Sequence, residues 1–175
     1  MSAASGRERE PGQGLELELV PHAGVGPFRL GMPVGEARDA VAAAGGSRIT
    51  LAAEEPGQLH LTHDASGSGI SLGFTQGKLS DIEIFRFRKE DAGVRVLLDG
   101  LDVFRTPSED LRARLAERGH AIGEDGDLGE DGDLGFDALP ELDVILANES
   151  GRELPADEEG RPLYYDYVLL AERIG

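Results

Sequence analysis

The sequence has no cysteine and no tryptophan, and it has only six Phe and three Tyr among 175 residues. Without cysteine there is no disulfide framework, no thiolate zinc site and no cysteine nucleophile. Basic residues are scarce as well, because 17 Lys and Arg stand against 34 Asp and Glu and leave a net charge of −17. Nucleic acid and anionic membranes attract basic surfaces, so the sequence predicts that neither is a partner.

Long apolar runs are missing too. A membrane-spanning helix needs roughly 18 apolar residues and a signal peptide roughly 7–15 after a basic start, and neither pattern is present. We therefore expect a cytoplasmic protein, and the abundance of Arg, Ala and Gly is typical of a bacterial one. Residues 1–14 are small, charged and rich in Gly and Pro, which predicts a flexible tail.

An internal repeat organises the rest of the chain. Segments 27–45 and 103–119 both run from Phe-Arg through a Pro into a helical pattern that ends in Gly. In the second copy Thr106 and Glu109 have the spacing of a capping box, and Gly119 suits the position just after a helix. Each predicted helix follows one strand pattern and precedes several more, so the chain contains one unit repeated twice.

The two predicted units span residues 15–89 and 94–172. In each, a strand and a helix are followed by about three antiparallel strands, of which the last cover residues 78–88 and 163–171. The segment Thr75-Gln76-Gly77-Lys78 predicts a tight hairpin turn. The expected fold class is α+β: a tandem duplication of a strand–helix–antiparallel-strands unit, forming one larger antiparallel sheet with the helices on one face.

Two short motifs resemble a known family. Residues 31–37 read Gly-Met-Pro-Val-Gly-Glu-Ala at a helix start, and residues 71–79 read Ser-Leu-Gly-Phe-Thr-Gln-Gly-Lys-Leu in a later hairpin. Both are similar to motifs of the β-lactamase inhibitor protein family and of the related outer-membrane assembly lipoproteins of the SmpA/OmlA type. The resemblance implies a tandem-repeat fold whose open sheet face binds a target protein. Because Pro33 replaces the usual Thr and the family's cysteines are missing, it does not extend to β-lactamase as target or to membrane assembly as role.

Acidic residues concentrate in the last third of the chain. Residues 121–175 hold 16 acidic and 3 basic residues, a net charge of −13, and residues 123–134 contain the same Gly-Glu-Asp-Gly-Asp-Leu hexamer twice. The spacing fails the EF-hand pattern because Leu142 falls at the bidentate position, so we expect a mobile solvated loop and no metal site. A surface of this charge would steer a basic partner, with solubility alone as the competing interpretation.

Two predicted strands alternate acidic and aromatic residues with aliphatic ones. On residues 78–88, Ile82 and Ile84 take the core face and leave acids and Phe rings on the other; Tyr165 and Tyr167 likewise share one face of the last strand. Tyr and Phe framed by charge are typical of interaction hot spots. The predicted partner-binding residues are Asp81, Glu83, Phe85, Phe87, Asp143, Tyr165, Asp166 and Tyr167. The alternative is that a bulge turns these rings into the core.

No motif indicates catalysis or a cofactor. His60 and His63 lie three apart on a predicted strand and so point to opposite faces, and a Gly-x-Ser-x-Gly nucleophile motif is missing. We expect a non-enzymatic monomer with no catalytic residue, cofactor or metal ligand. The favoured function is protein binding, as an inhibitor or immunity-type protein for a basic partner such as a toxin or another enzyme. A regulatory interaction domain fits equally well, and the alternative class is a small-molecule-binding or enzymatic module that uses a cavity of the curved sheet.

Overall fold

A computed structural model describes residues 15–43, 49–63, 66–88, 94–122, 136–148, 158 and 163–172. Within these residues the chain forms strands and two helices. In chain order they are β1 (Leu15–Val20), β2 (Gly24–Val25), β3 (Phe28–Arg29), α1 (Val34–Ala43), β4 (Ile49–Glu55), β5 (Gln58–His63), β6 (Ser68–Thr75), β7 (Lys78–Phe85), β8 (Val94–Leu98), β9 (Leu101–Asp102), α2 (Ser108–Glu117), β10 (Phe136–Leu139), β11 (Val144–Ala147) and β12 (Tyr167–Ala171).

Seven strands form one antiparallel sheet in the order β10-β11-β12-β7-β6-β5-β4. The first half of the chain supplies β4 to β7 and the second supplies β10 to β12, and the halves meet where β7 pairs with β12. The β6–β7 hairpin turns at Gln76 and Gly77, both with positive φ, which confirms the tight turn expected from the sequence. The α+β class with a large antiparallel sheet is confirmed.

A second, smaller sheet has the order β3-β2-β1-β8-β9. It differs from the expectation of a single sheet, because the first strands of the two halves pair with each other and not with the seven-stranded sheet. They run parallel, with Leu17 opposite Val96 and Leu19 opposite Leu98. All four side chains are buried in the common core, so this small sheet buries apolar area that the large sheet alone could not cover.

The helices and both sheets share one hydrophobic core. Ala37 of α1 and Leu111 and Leu115 of α2 belong to the same buried cluster as Ile82 and Ile84 of β7. Both helices therefore lie on the Ile82 and Ile84 side of the large sheet. Since side chains alternate along a strand, the intervening residues of β7 point to the opposite side.

At α2 the structure confirms the expected end of the helix and contradicts the expected cap at its start. Gly119 has φ of 91° just past the helix, as expected for its position. The predicted capping box is wrong, since the helix begins at Ser108 and no side chain caps its start. Instead, the amide and hydroxyl of Ser108 both donate to the carbonyl oxygen of Leu163, at 2.8 and 3.2 Å. A segment distant in sequence thus satisfies the helix start, which local spacing could not reveal.

Two predicted regions, the tail at 1–14 and the acidic loop at 123–134, lie outside the described residues. The superposition of units 15–89 and 94–172 stays a prediction.

Candidate interaction surface

The side of the seven-stranded sheet that points away from the core carries the candidate site, and we call it the open face. Cross-strand register places its central residues side by side: Ser71 and Leu169 flank Glu83, and Phe85 lies opposite Tyr167. The open face consists of His60, Ser71, Asp81, Glu83, Phe85, Ile145, Tyr167 and Leu169. Most of these side chains are half-buried, as expected where neighbouring strands shield one another.

A short chain of contacts crosses the junction between the two halves. The hydroxyl of Tyr167 on β12 donates a 2.6 Å hydrogen bond to Glu83 Oε2 on β7. The rings of Phe85 and Tyr167 meet edge to face, with centroids 5.3 Å apart and planes at 60°. Hydrogen bonds to a carboxylate are stronger than neutral ones, so Tyr167 fixes the Glu83 side chain while a partner could still use its remaining lone pairs.

Asp81 lies beside this cluster in a cradle made by a glycine. Gly73 is its cross-strand neighbour, and a Cβ on Gly73 would come within 2.5 Å of Asp81 Oδ1. Because Gly73 has no side chain, the Asp81 carboxylate can pack directly against β6. Burial raises the pKa of Asp81 above its ordinary value, and the hydroxyl of Ser80 opposes this with a hydrogen bond. The charged form of Asp81 is consequently held at a cost in folding free energy.

Polar and aliphatic residues extend the open face in opposite directions. Towards β5, His60 Nδ1 lies 2.9 Å from Ser71 Oγ, and His60 Nε2 lies 3.8 Å from a carboxylate oxygen of Glu55. Towards β11, Leu169 and Ile145 are half-exposed neighbours. A partner crossing the face would meet polar groups, then carboxylates and rings, then an aliphatic area.

Four of the predicted binding residues lie on this face. Asp81, Glu83 and Phe85 are half-buried there, with Ile82 and Ile84 in the core as expected. Tyr167 is on the same face, but only 6% of it is exposed. A partner therefore has little access to its ring, and the contribution of Tyr167 to binding would be to position Glu83 and Phe85.

Phe87 was expected on the same face as Phe85, and that is wrong. The strand ends at Phe85 and not at residue 88, so strict alternation no longer applies beyond it. Phe87 is 2% exposed and packs edge to face on Phe104 in the core. The guanidinium carbons of Arg86 and Arg105 lie 4.4 and 4.3 Å from its ring centroid, a geometry typical of cation–π contacts.

Tyr165 and Asp166 were also placed on the binding face, and both are buried, at 3% and 2% exposure. The reason is the same, because β12 begins only at Tyr167. The hydroxyl of Tyr165 donates a 2.5 Å hydrogen bond to Asp137 Oδ2, which also lies 3.5 Å from Arg112 Nη1 on α2. Burial, followed by the hydrogen bond to Asp137, raises the pKa of Tyr165 far above its ordinary value.

Asp143 is not on the open face either. It occupies the turn between β10 and β11 with φ of 55°, and its carboxylate lies 3.2 Å from His22 Nε2. A left-handed turn residue ends strand alternation, so the sequence pattern misplaced it.

The sequence analysis missed four residues of the open face: Leu169, Ile145, His60 and Ser71. The first two could have been found by extending the alternation from Tyr167 to Leu169 and by reading the same face of the preceding strand. His60 and Ser71 required the strand register, which one sequence does not give.

A groove opens at the tip of the β4–β5 hairpin, away from the centre of the open face. Its volume is about 470 Å³. Val34, Leu59 and Phe74 supply apolar lining, and Glu54 and Glu55 supply carboxylates. Among the described residues no His, Asp and Glu side chains converge in a group of three that could hold a metal ion.

Comparison with protein-family models found no match, and comparisons with curated proteins and solved structures found none. No helix within the described part of the chain is long and apolar enough to cross a membrane.

Proposed function

We propose that this chain is a non-enzymatic protein-binding module that uses the open face to bind a basic surface of another protein. The partner we expect is a toxin or another enzyme, and the role that of a cytoplasmic inhibitor or immunity-type protein. The observation that carries the proposal is the cluster of Asp81, Glu83 and Phe85 at the junction of the halves. Aromatic side chains are enriched at interface centres and charged groups lie in the polar rim, and here a ring and two carboxylates lie side by side with an aliphatic area next to them.

The state of Asp81 supports the same interpretation. A half-buried carboxylate with a raised pKa weakens the folded state at neutral pH, and the cradle at Gly73 accommodates it. A group that costs stability and makes no ion pair of its own within the described residues is well placed to pair with an incoming cation. The overall charge of −17 adds long-range attraction for a basic partner.

A charge-matched comparison tests the proposal. One variant carries Asp81→Asn with Glu83→Gln on the open face, and the control carries Glu36→Gln with Asp39→Asn on the exposed side of α1. Each is immobilised and used to capture proteins from the source organism, with quantification at about 50 and 500 mM salt. Salt on this scale shortens the screening length from above 10 Å to below 8 Å.

The expected partner has a basic contact surface, is retained by the wild type and the control, and is lost from the open-face variant and at high salt. A partner that binds both variants equally, or whose retention ignores salt, would refute the open face as the binding surface.

A further inference from the structure

Asp81, Glu83 and Phe85 are alternate residues of β7 and form one row on the open face. All three are half-buried, and their neighbours hold them in place. Tyr167 of β12 donates to Glu83 and contacts the ring of Phe85. On β6, the missing side chain of Gly73 makes room for Asp81. Because the row is already ordered, a partner group that binds it loses little affinity to side-chain ordering.

The ring of Phe85 lies between two strands and stays partly accessible. On one side the ring of Tyr167 meets it edge to face, with centroids 5.3 Å apart. On the other side is Gly69 of β6, where an added Cβ would lie 3.7 Å from Phe85 Cδ1. Gly69 therefore contributes no side chain that covers the ring, and Glu83 is the next residue along the same face.

The two carboxylates of the row accept hydrogen bonds from neutral groups. Tyr167 donates to Glu83 at 2.6 Å, and the hydroxyl of Ser80 lies 3.3 Å from Asp81 Oδ2. Within the part of the chain that the structure describes, neither carboxylate forms an ion pair. An ionised carboxylate has about four acceptor sites, so each keeps capacity for a further donor. Two carboxylates fall short of the six to eight oxygen ligands, roughly, of a calcium site, so an organic cation fits better.

The core of this protein shows how guanidinium groups and a phenyl ring combine. The guanidinium carbons of Arg86 and Arg105 lie 4.4 and 4.3 Å from the ring centroid of Phe87. At the same time, Nε of Arg86 donates to the carbonyl oxygen of Phe104 and Nε of Arg105 donates to that of Val94. A guanidinium over a ring thus keeps N–H donors for an acceptor beside the ring.

The row offers a ring and such an acceptor, and this combination distinguishes arginine from lysine. Phe85 and Glu83 lie about 6.8 Å apart along the strand, a span that a planar fork of N–H donors bridges from a position over the ring. An ammonium group is compact and strongly hydrated, so it must give up more water to enter a half-buried place. The same contacts therefore stabilise a guanidinium more than an ammonium.

We propose that the open face selects a single arginine of its partner, whose guanidinium lies over the Phe85 ring and donates to Glu83. Asp81 adds attraction from the next position of the row. The inference rests on the proposed binding function and names the side chain that the open face recognises.

Three small probes test the proposal on the full wild-type chain: the acetylated amides of arginine, of lysine and of uncharged citrulline. Amide chemical shifts are followed at about 20 mM salt, where charges are weakly screened. We expect saturable shifts at Glu83, Phe85 and their cross-strand neighbours with the arginine probe. Its dissociation constant should be at least about threefold lower than that of the lysine probe, and citrulline should not saturate.

Phe85→Leu separates the ring from the charge. It keeps an apolar side chain and both carboxylates, so the ratio of the lysine and arginine dissociation constants should fall to about one. Phe74→Leu removes a half-buried ring that packs against the core from the same sheet and should leave the ratio unchanged. The ratio measured on the wild type stands even where a variant is too unstable to titrate.

The outcomes separate this inference from the proposed function. Equal affinity for the arginine and lysine probes would overturn the selection of arginine and leave a face that binds basic proteins. Absence of saturable shifts with the arginine probe, or shifts centred away from the open face, would also overturn it, whereas the charge-matched capture decides the proposed function. Saturation of the same resonances by calcium alone would show a metal ion as the occupant and overturn it too.

Discussion

Tyr165 and Tyr167 stand two residues apart, and both hydroxyls donate to a carboxylate, yet they lie on opposite sides of the sheet. Tyr165 belongs to the core cluster and bonds to Asp137 beneath α2. Tyr167 lies on the open face and bonds to the half-buried Glu83. The same pair of groups thus serves two purposes: on the helix side it satisfies a buried polar atom, and on the open side it orients a surface charge.

The largest effect is expected from Tyr165→Ala. Removing a buried aromatic side chain leaves a cavity and costs about 3–5 kcal/mol of unfolding free energy. This is a large share of the stability of a domain, so urea denaturation should be followed at low temperature. Binding by the open face should persist as long as the protein is folded. A loss below about 1 kcal/mol would show that Tyr165 is not part of the core.

Adjacent leucines on β12 give a second test of the two sides. Leu170 is buried opposite Ile82, whereas Leu169 is half-exposed opposite Glu83. Leu170→Ala should cost about 3 kcal/mol, and Leu169→Ala should cost about 1 kcal/mol or less because water already reaches the site. Urea denaturation measures both. Equal losses would mean that the open face is covered and cannot serve as a binding surface.

Removal of the two hydroxyls gives a smaller but more direct contrast. Tyr165→Phe should cost about 2 kcal/mol, because Asp137 loses a strong donor in a mostly buried place where water replaces it poorly. Tyr167→Phe should cost less than about 1 kcal/mol, because Glu83 can bond to water. The two variants keep their rings, so thermal unfolding compares the hydrogen bonds alone. A larger loss for Tyr167→Phe would reverse the assignment of the two sides.

Sequence alternation predicted the sides of the sheet correctly only inside regular strands. Ile82, Glu83 and Ile84 obey it because β7 is paired on both sides there. Phe87 and Tyr165 were misplaced because they lie just beyond strand ends, where packing on Phe104 and bonding to Asp137 decide the direction of the side chain. Those contacts join residues far apart in sequence, so no local pattern contains them.

The elements and the antiparallel sheet were predictable from the sequence, but part of the strand pairing was not. The repeated helix pattern and the hairpin at Gln76 and Gly77 predicted the elements and the antiparallel sheet. The parallel pairing of β1 with β8 was not predictable, because alternation of Leu and Glu in β1 shows that one face is buried but not which strand lies beside it. The candidate site was the least predictable part, because it depends on the register across five neighbouring strands.

The smallest expected effect is a gain in stability from Asp81→Asn. Burial raises the pKa of Asp81 above its ordinary value of 3.8, so the folded state binds the proton more tightly than the unfolded state does. The stability of the wild type therefore falls as pH rises from that ordinary value through the raised one, and the penalty is complete at neutral pH. Asn carries no charge, so the variant should be more stable by about 0.5 kcal/mol near pH 7, after solvent screening is allowed for. The gain should vanish near pH 3.5, where the wild-type carboxyl is protonated.

Urea denaturation across this range provides the measurement, and Asp39→Asn on exposed α1 removes the same charge as a control. Equal gains from both variants would point to relief of the overall negative charge and not to desolvation at the open face. A gain specific to Asp81, together with weaker binding of the basic partner, is the result expected if this carboxylate is retained for binding at the expense of stability.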